Sequence, residues 1–131
     1  MSNEISQPGE FCWNELMTPD THKAQEFYTA LLGWTTQVHD MGEMKYTIFM
    51  SGDKSIGGML QTPKDKIDQI PPHWMSHICV ADLEKTLEKA KELGASIKVP
   101  VTDVADMGSF AIITDPTGAH IAFWQPFITS A

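Results

Sequence analysis

The sequence predicts an α+β fold made of two repeats, each a strand, a helix and three further strands. Three observations carry this. Helical spacing of apolar residues occurs twice, over Ala24, Phe27, Tyr28, Leu31 and Leu32, and over Leu83, Leu87, Ala90 and Leu93. Each helical run is preceded by a strand-like piece and closed by a glycine, Gly33 or Gly94. A shift of 62 residues lays Asp20 on Asp82 and Asp53 on Asp115, so the two halves overlay.

Taken in order, residues 1–10 are polar, contain Pro8-Gly9 and read as a loose arm. The first module spans 11–61. Residues 11–17 alternate as a strand. Thr18-Pro19-Asp20-Thr21 supplies an oxygen to cap free helix amides, and strands follow near 34–39, 45–51 and 55–61, divided at Met41-Gly42 and at 51–53. Residues 62–73 form a linker whose prolines and charges suit neither helix nor central strand. The second module spans 74–125: strand 74–81, helix 82–93, and strands near 96–101, 108–114 and 119–125. Asp115-Pro116-Thr117-Gly118 makes its last hairpin turn. Together, 11–127 is expected to be one domain.

The chain has 131 residues, long enough to bury a core without disulfides or a structural metal. Nine basic against seventeen acidic residues give a net charge of −8, which argues against nucleic acid or an anionic membrane as partner. No stretch is apolar enough to span a bilayer, and the N-terminus lacks the features of a signal peptide. Cys12 and Cys79 make no disulfide framework, so a cytoplasmic location is expected.

Trp13, Asp20, Phe27-Tyr28 and Leu32-Gly33-Trp34 in the first half are joined by Trp74, Val80-Ala81-Asp82, Ala90, Leu93-Gly94-Ala95 and Asp115-Pro116-Thr117-Gly118-Ala119 in the second. In this combination the chain resembles the vicinal oxygen chelate superfamily of glyoxalase I, bleomycin-resistance proteins and extradiol dioxygenases. The resemblance implies paired βαβββ modules, a cupped mixed sheet whose first and last strands run parallel within each module, and a homodimer. It also implies a divalent metal held from the first and last strands of each module. The implied ligand positions fall on Trp13, Leu60, Met75 and Ala122, none of which suits a hard cation. The usual metal site is therefore expected to be lost, and no cofactor is expected.

Side chains two apart on a strand share a face, so Trp13, Glu15 and Met17 should line the cup together, as should Met75, His77 and Cys79. Glu15 and His77 correspond across the repeat, and the offset puts Thr62 and Trp124 level with them. An acid–base pair of Glu15 and His77 is one reading, since a buried carboxyl near an imidazole is how pKa values are tuned. Mutual satisfaction of two polar groups in an apolar cup is the other, and a metal shifted onto the same two residues also stays open. Trp13, Met17, Leu60, Met75, Phe110, Ala122 and Trp124, with Ile48, are the candidate ligand-binding residues. They suit a small apolar or aromatic molecule. Cys12 should face a helix with Leu16, and His22, His39 and His73 should be solvated. Gly57-Gly58 should mark a bulge or a close backbone approach. Three functions remain open at this stage: a binding protein of the bleomycin-resistance type, an isomerase, lyase or dioxygenase-type enzyme, and a protein-interaction subunit.

Overall fold

A computed structural model describes residues 7–40, 45–104 and 107–127. The Met41-Gly42 divider lies outside the described residues. The elements follow the predicted order: β1 (Phe11–Thr18), α1 (Thr21–Leu32), β2 (Thr35–Asp40), β3 (Lys45–Ser51), β4 (Lys54–Gln61), β5 (His73–Cys79), α2 (Leu83–Glu92), β6 (Ser96–Val104), β7 (Gly108–Thr114) and β8 (His120–Pro126). Within the stretch read as linker, residues Lys64–Lys66 form a 3-10 turn, and His73 already belongs to β5. β6 runs on to Val104 rather than ending near residue 101, with two register irregularities against β7 on either side of Val99. The chain divides into two compact units, one containing residues 13–75 and the other residues 7–12 and 76–127.

In the first unit the strands lie in the order β2-β3-β4-β1. β2, β3 and β4 pair antiparallel, and β1 joins β4 in parallel. This is the parallel pairing of first and last strands that the resemblance implies. α1 begins where the Asp20 side chain accepts a hydrogen bond from the Lys23 amide (2.9 Å), and it stops at Gly33, whose φ of 73° only glycine adopts readily. The helix covers Leu16, Phe49 and Met59 with Ala24 and Tyr28. Its apolar stripe is wider than that core: Phe27, Leu31 and Leu32 stay exposed, because the inward line through positions 24 and 28 leaves 27 and 31 on its outer flank. Tyr28 stacks on Trp34 (5.8 Å between centroids) and meets Phe49 and Trp74 edge-on, and the Trp74 indole donates to the Tyr28 hydroxyl (3.1 Å).

The second unit repeats the plan, in the order β5-β8-β7-β6, with β5 parallel to β8. Asp82 caps α2 through the Lys85 amide (3.1 Å), and the Leu83 amide finds the Gln125 side chain (2.7 Å). Leu83 and Leu87 pack on Ala111 and Ile113, flanked by Ile121 and Phe123. The final hairpin is tied by one carboxylate. Asp115 accepts from the Thr117 amide and hydroxyl and from the Ala119 amide, which holds it below the usual carboxylate range. Among the described residues no helix is long and apolar enough to cross a membrane.

Candidate functional site

In each unit the helix takes one face of the sheet, so successive residues of a strand alternate between the helix side and the opposite side. In the first unit Leu16, Phe49 and Met59 point toward α1. Trp13, Glu15 and Met17 of β1 therefore share the opposite face. The ladder sets Glu15 beside Gly58, Gly58 beside Ile48, and Met17 beside Leu60. The predicted grouping of Trp13, Glu15, Met17, Ile48 and Leu60 on one face thus holds. The predicted level partner of Glu15 does not. It is Gly58 rather than Thr62, because β1 and β4 are offset from the position the repeat arithmetic gives.

On this face lies a relay that the sequence reading did not contain. The Trp13 indole N–H donates to the Tyr46 hydroxyl (2.7 Å), and the Tyr46 hydroxyl donates to Glu15 Oε2 (2.9 Å). Each acceptor but the last is also a donor, so the chain of bonds has a fixed direction that ends on the carboxylate. Burial pushes the Glu15 carboxyl above its ordinary value near 4.5, outweighing the Tyr46 hydrogen bond and the charge of His73, both of which pull it down. Burial, with the neighbouring Glu15 charge, pushes the Tyr46 phenol far above its ordinary range, so the phenol stays a donor.

Gly58 makes the relay sterically feasible. A Cβ there would lie 1.8 Å from the Tyr46 hydroxyl oxygen and 2.3 Å from the ring carbon that bears it. Gly57 is crowded on its own account, 2.9 Å from the Asn14 carbonyl oxygen. The expected close approach at Gly57-Gly58 is therefore present at both positions. Tyr46 could have been sought in the sequence as the large polar residue placed to fill the space above a strand glycine, but its distance from Glu15 along the chain hid the link.

In the second unit the face opposite α2 carries His77, Cys79, Phe110, Ala122 and Trp124. His77 stands beside Ala122, Cys79 beside Trp124, and Phe110 beside Trp124. Here too the offset corrects the expectation, since Trp124 is level with Cys79 and not with His77. His77 is buried, and the Trp124 ring lies against Gly108, where an added Cβ would come within 2.6 Å of it. The buried Trp124 indole N–H has no hydrogen-bond partner among the described residues. Met75 is half-buried in β5. Glu15 and His77 belong to different units; the hydrogen-bond partner of Glu15 is Tyr46, in its own unit.

The remaining candidates are placed more simply. Cys12 is half-buried, its thiol directed to the His77 carbonyl (3.6 Å) and pushed up to about 11 by burial and by the adjacent Cys79, so it is a poor thiolate. His22 is exposed and pairs with Glu26 (2.6 Å). His39 is exposed, and His73 is half-buried with Nδ1 against the Pro71 carbonyl (2.8 Å).

The donor set does not fit the metal that the resemblance implies. Of the four implied positions, Leu60 and Ala122 have no donor atom, Met75 offers a soft thioether, and Trp13 has only an N–H, already given to Tyr46. Among the described residues no three His, Cys, Asp or Glu side chains gather as a metal-binding group.

Comparison with known proteins agrees with this architecture. The chain is 30% identical over 115 residues to a Mycobacterium tuberculosis protein named “Putative glyoxylase CFP32”, covering 86% of this chain and 44% of that one. It is 31% identical over 130 residues to the anthracycline biosynthesis protein DauV of a Streptomyces species, covering 90% and 47% respectively. The chain thus spans about half the length of the curated relatives it matches. Among solved structures, the hypothetical protein BH1468 of Bacillus halodurans shares the fold with a TM-score of 0.71 at 13% identity, covering 95% of this chain and 99% of that one. The family model for the glyoxalase/bleomycin resistance protein/dioxygenase superfamily matches residues 11–123, and the chain belongs to that superfamily.

Proposed function

We propose that the protein binds a small, largely apolar or aromatic molecule on the sheet face that carries Trp13, Met17, Ile48 and Leu60, with the Tyr46–Glu15 pair as its polar anchor. The observation that carries this reading is the directed Trp13–Tyr46–Glu15 relay. It holds a half-buried carboxyl at the centre of an apolar surface, the pattern of a site that grips an apolar body and fixes its orientation by one polar contact. Phe110, Ala122 and Trp124 form the same kind of surface within the second unit. The name of the Streptomyces relative, an anthracycline biosynthesis protein, supports a flat aromatic ligand and makes an anthraquinone the first probe. On this reading no metal takes part, which the donor set supports.

The test is an absorbance and tryptophan-fluorescence titration with a hydroxylated anthraquinone, run with and without EDTA. Saturable binding is expected, unchanged by EDTA and weakened by Met17→Glu, which puts a charge on the apolar surface. Absence of saturable binding by any planar aromatic probe, or a requirement for metal, overturns the reading.

The raised Glu15 value makes a separate prediction about stability. A carboxyl whose pKa is raised on folding holds its proton more tightly in the folded chain than in the unfolded one. Its favourable contribution is complete below its ordinary value near 4.5 and is lost as pH rises through the raised folded value. Each pH unit between the two is worth about 1.4 kcal/mol. Glu15→Gln keeps an oxygen for Tyr46 and removes the titration. It should match the wild type in urea denaturation at pH 4 and exceed it at pH 8. Equal stability at both pH values would show that Glu15 is not shifted.

The same shift favours a second reading, in which Glu15 performs acid–base chemistry on the bound molecule, because a carboxyl moved toward neutrality can both give and take a proton. Glu15→Gln would then keep the anthraquinone affinity while turnover of a reactive substrate is lost.

We propose further that the chain works as a homodimer in the cytoplasm. Phe27 and Leu31, 57% and 62% exposed on α1, give an apolar surface for such a contact. Light scattering should return about twice the 14.6 kDa chain mass. A monomer at micromolar concentration overturns the dimer.

A further inference from the structure

His73 opens β5 and is half-buried rather than solvated. Its neighbour Trp74 fixes which way it faces. The Trp74 ring meets Tyr28 edge-on and tilts against Phe49, and its indole donates to the Tyr28 hydroxyl, so Trp74 lies on the α1 side of the first unit. Successive strand residues alternate, which turns His73 to the opposite face, the one that carries Trp13, Glu15 and Tyr46. The stretch of β5 from His73 to Met75 belongs to the first unit, and β5 is the neighbour of β1 in the sheet. In keeping with this, the positive form of His73 acts on the Glu15 carboxyl, pulling it down against the effect of burial.

The imidazole is also held. Its Nδ1 lies 2.8 Å from the Pro71 carbonyl oxygen. A carbonyl can only accept, so Nδ1 carries the hydrogen of the neutral ring and Nε2 is the nitrogen with a lone pair. Both residues of Pro71-Pro72 have φ fixed by their rings, so this carbonyl is a stiff support. Tyr46 in turn engages one of the two oxygens of Glu15, Oε2. The relay face thus offers two polar groups of different kind among its apolar side chains: a carboxyl already receiving a hydrogen bond, and an oriented imidazole with one acceptor nitrogen.

We infer that His73 is a specificity-determining residue of this face, and that the ligand is an aromatic molecule with a phenolic hydroxyl, whose O–H donates to His73 Nε2. The inference rests on the relay-face reading and adds a second fixed point to it. A single polar contact lets a flat ligand swing about that contact, whereas two set its position in the plane. Nε2 needs a hydrogen from its partner. A phenol supplies one; a quinone carbonyl or an aryl ether has none, and an aliphatic alcohol lacks the flat ring that suits the surface. A ligand that covers this acceptor without donating to it strips away water and puts nothing in its place, so the site discriminates against it.

The measurement is a ratio of affinities, by tryptophan-fluorescence titration of the full chain. One ligand is a hydroxyanthraquinone whose hydroxyl lies away from the quinone oxygens, and the other is its O-methyl ether. The two share a flat ring system and differ in the hydrogen. The wild type is expected to prefer the phenol by about tenfold, the worth of one hydrogen bond whose loss strands an acceptor. His73→Asn keeps a donor for the Pro71 carbonyl and removes the nitrogen at the Nε2 position, so the ratio should fall to about one. His73→Gln places an amide oxygen near that position and should restore part of the preference. A purely structural role would lower both affinities together and leave the ratio as it is. Equal wild-type affinities for phenol and ether, or an unchanged ratio in His73→Asn, overturn the assignment while the relay-face reading stands. Failure of both compounds to bind overturns the relay-face reading, and this inference with it.

Discussion

Gly58→Ala is expected to cost about 3 kcal/mol of folding stability, a large penalty for adding one methyl group. The new Cβ would lie 1.8 Å from the Tyr46 hydroxyl oxygen and inside contact distance of two ring carbons. A flexible side-chain end could step aside, but the Tyr46 hydroxyl is held on two sides, by the Trp13 indole and by Glu15. β4 cannot yield either, because Gly58 is paired on one flank with Ile48 and on the other with Glu15. Overpacking of a well-filled interior costs about 1–3 kcal/mol, and displacement of the relay adds to it. Urea denaturation measures the loss, and a double-mutant cycle assigns it. In Tyr46→Ala the ring that the methyl group would strike is gone, so Gly58→Ala should cost no more than about 1 kcal/mol in that background. Equal costs in the two backgrounds would show that the glycine is needed for something other than the tyrosine.

The relation between Gly58 and Tyr46 also marks how far the sequence carries. The glycine pair was legible as a close approach, because a strand glycine has few other uses. What approaches it was not, since the answer depends on β3 and β4 pairing in a register with a shift at Phe49-Met50. The same division runs through the molecule. Helix boundaries came from local chemistry, Asp20 and Asp82 at the starts and Gly33 at one end, and the structure keeps them. The faces of β1 and β5 came from period-two alternation and also hold. Levels between strands did not: His77 stands beside Ala122 and Glu15 beside Gly58, each displaced from the partner that the repeat offset gave. Alternation fixes which way a side chain points, but only the hydrogen-bond ladder fixes its neighbour. Several residues that carried the resemblance, Tyr28, Trp34 and Trp74, proved to be an aromatic cluster beside Phe49 under α1. They specify the fold, and the relay, built from Trp13, Glu15 and a tyrosine outside the motif, stands on the other side of the sheet.

Tyr46→Phe isolates that relay from the packing around it. The ring stays, so no cavity opens and Gly58 keeps its neighbour; only one oxygen leaves. Two groups then lose their partner together. The buried Trp13 N–H is left a donor with nothing to bond, and the Glu15 carboxyl loses the one donor that lowered its pKa directly. An unsatisfied buried donor costs about 1–3 kcal/mol, and the half-buried carboxyl recovers part of its loss from water, so about 2–3 kcal/mol is expected at neutral pH. For a chain of this length that lowers the melting temperature by roughly 10 °C. The loss should depend on pH in a defined sense. Without the phenol the folded Glu15 value rises further, so the pH range over which stability falls widens upward, and the variant approaches the wild type as pH drops toward 4. The Trp13 emission should change as its N–H loses a strong acceptor. If Tyr46→Phe melts within a degree of the wild type at neutral pH, the hydroxyl is a bystander, and Glu15 loses its claim to be a held, oriented anchor.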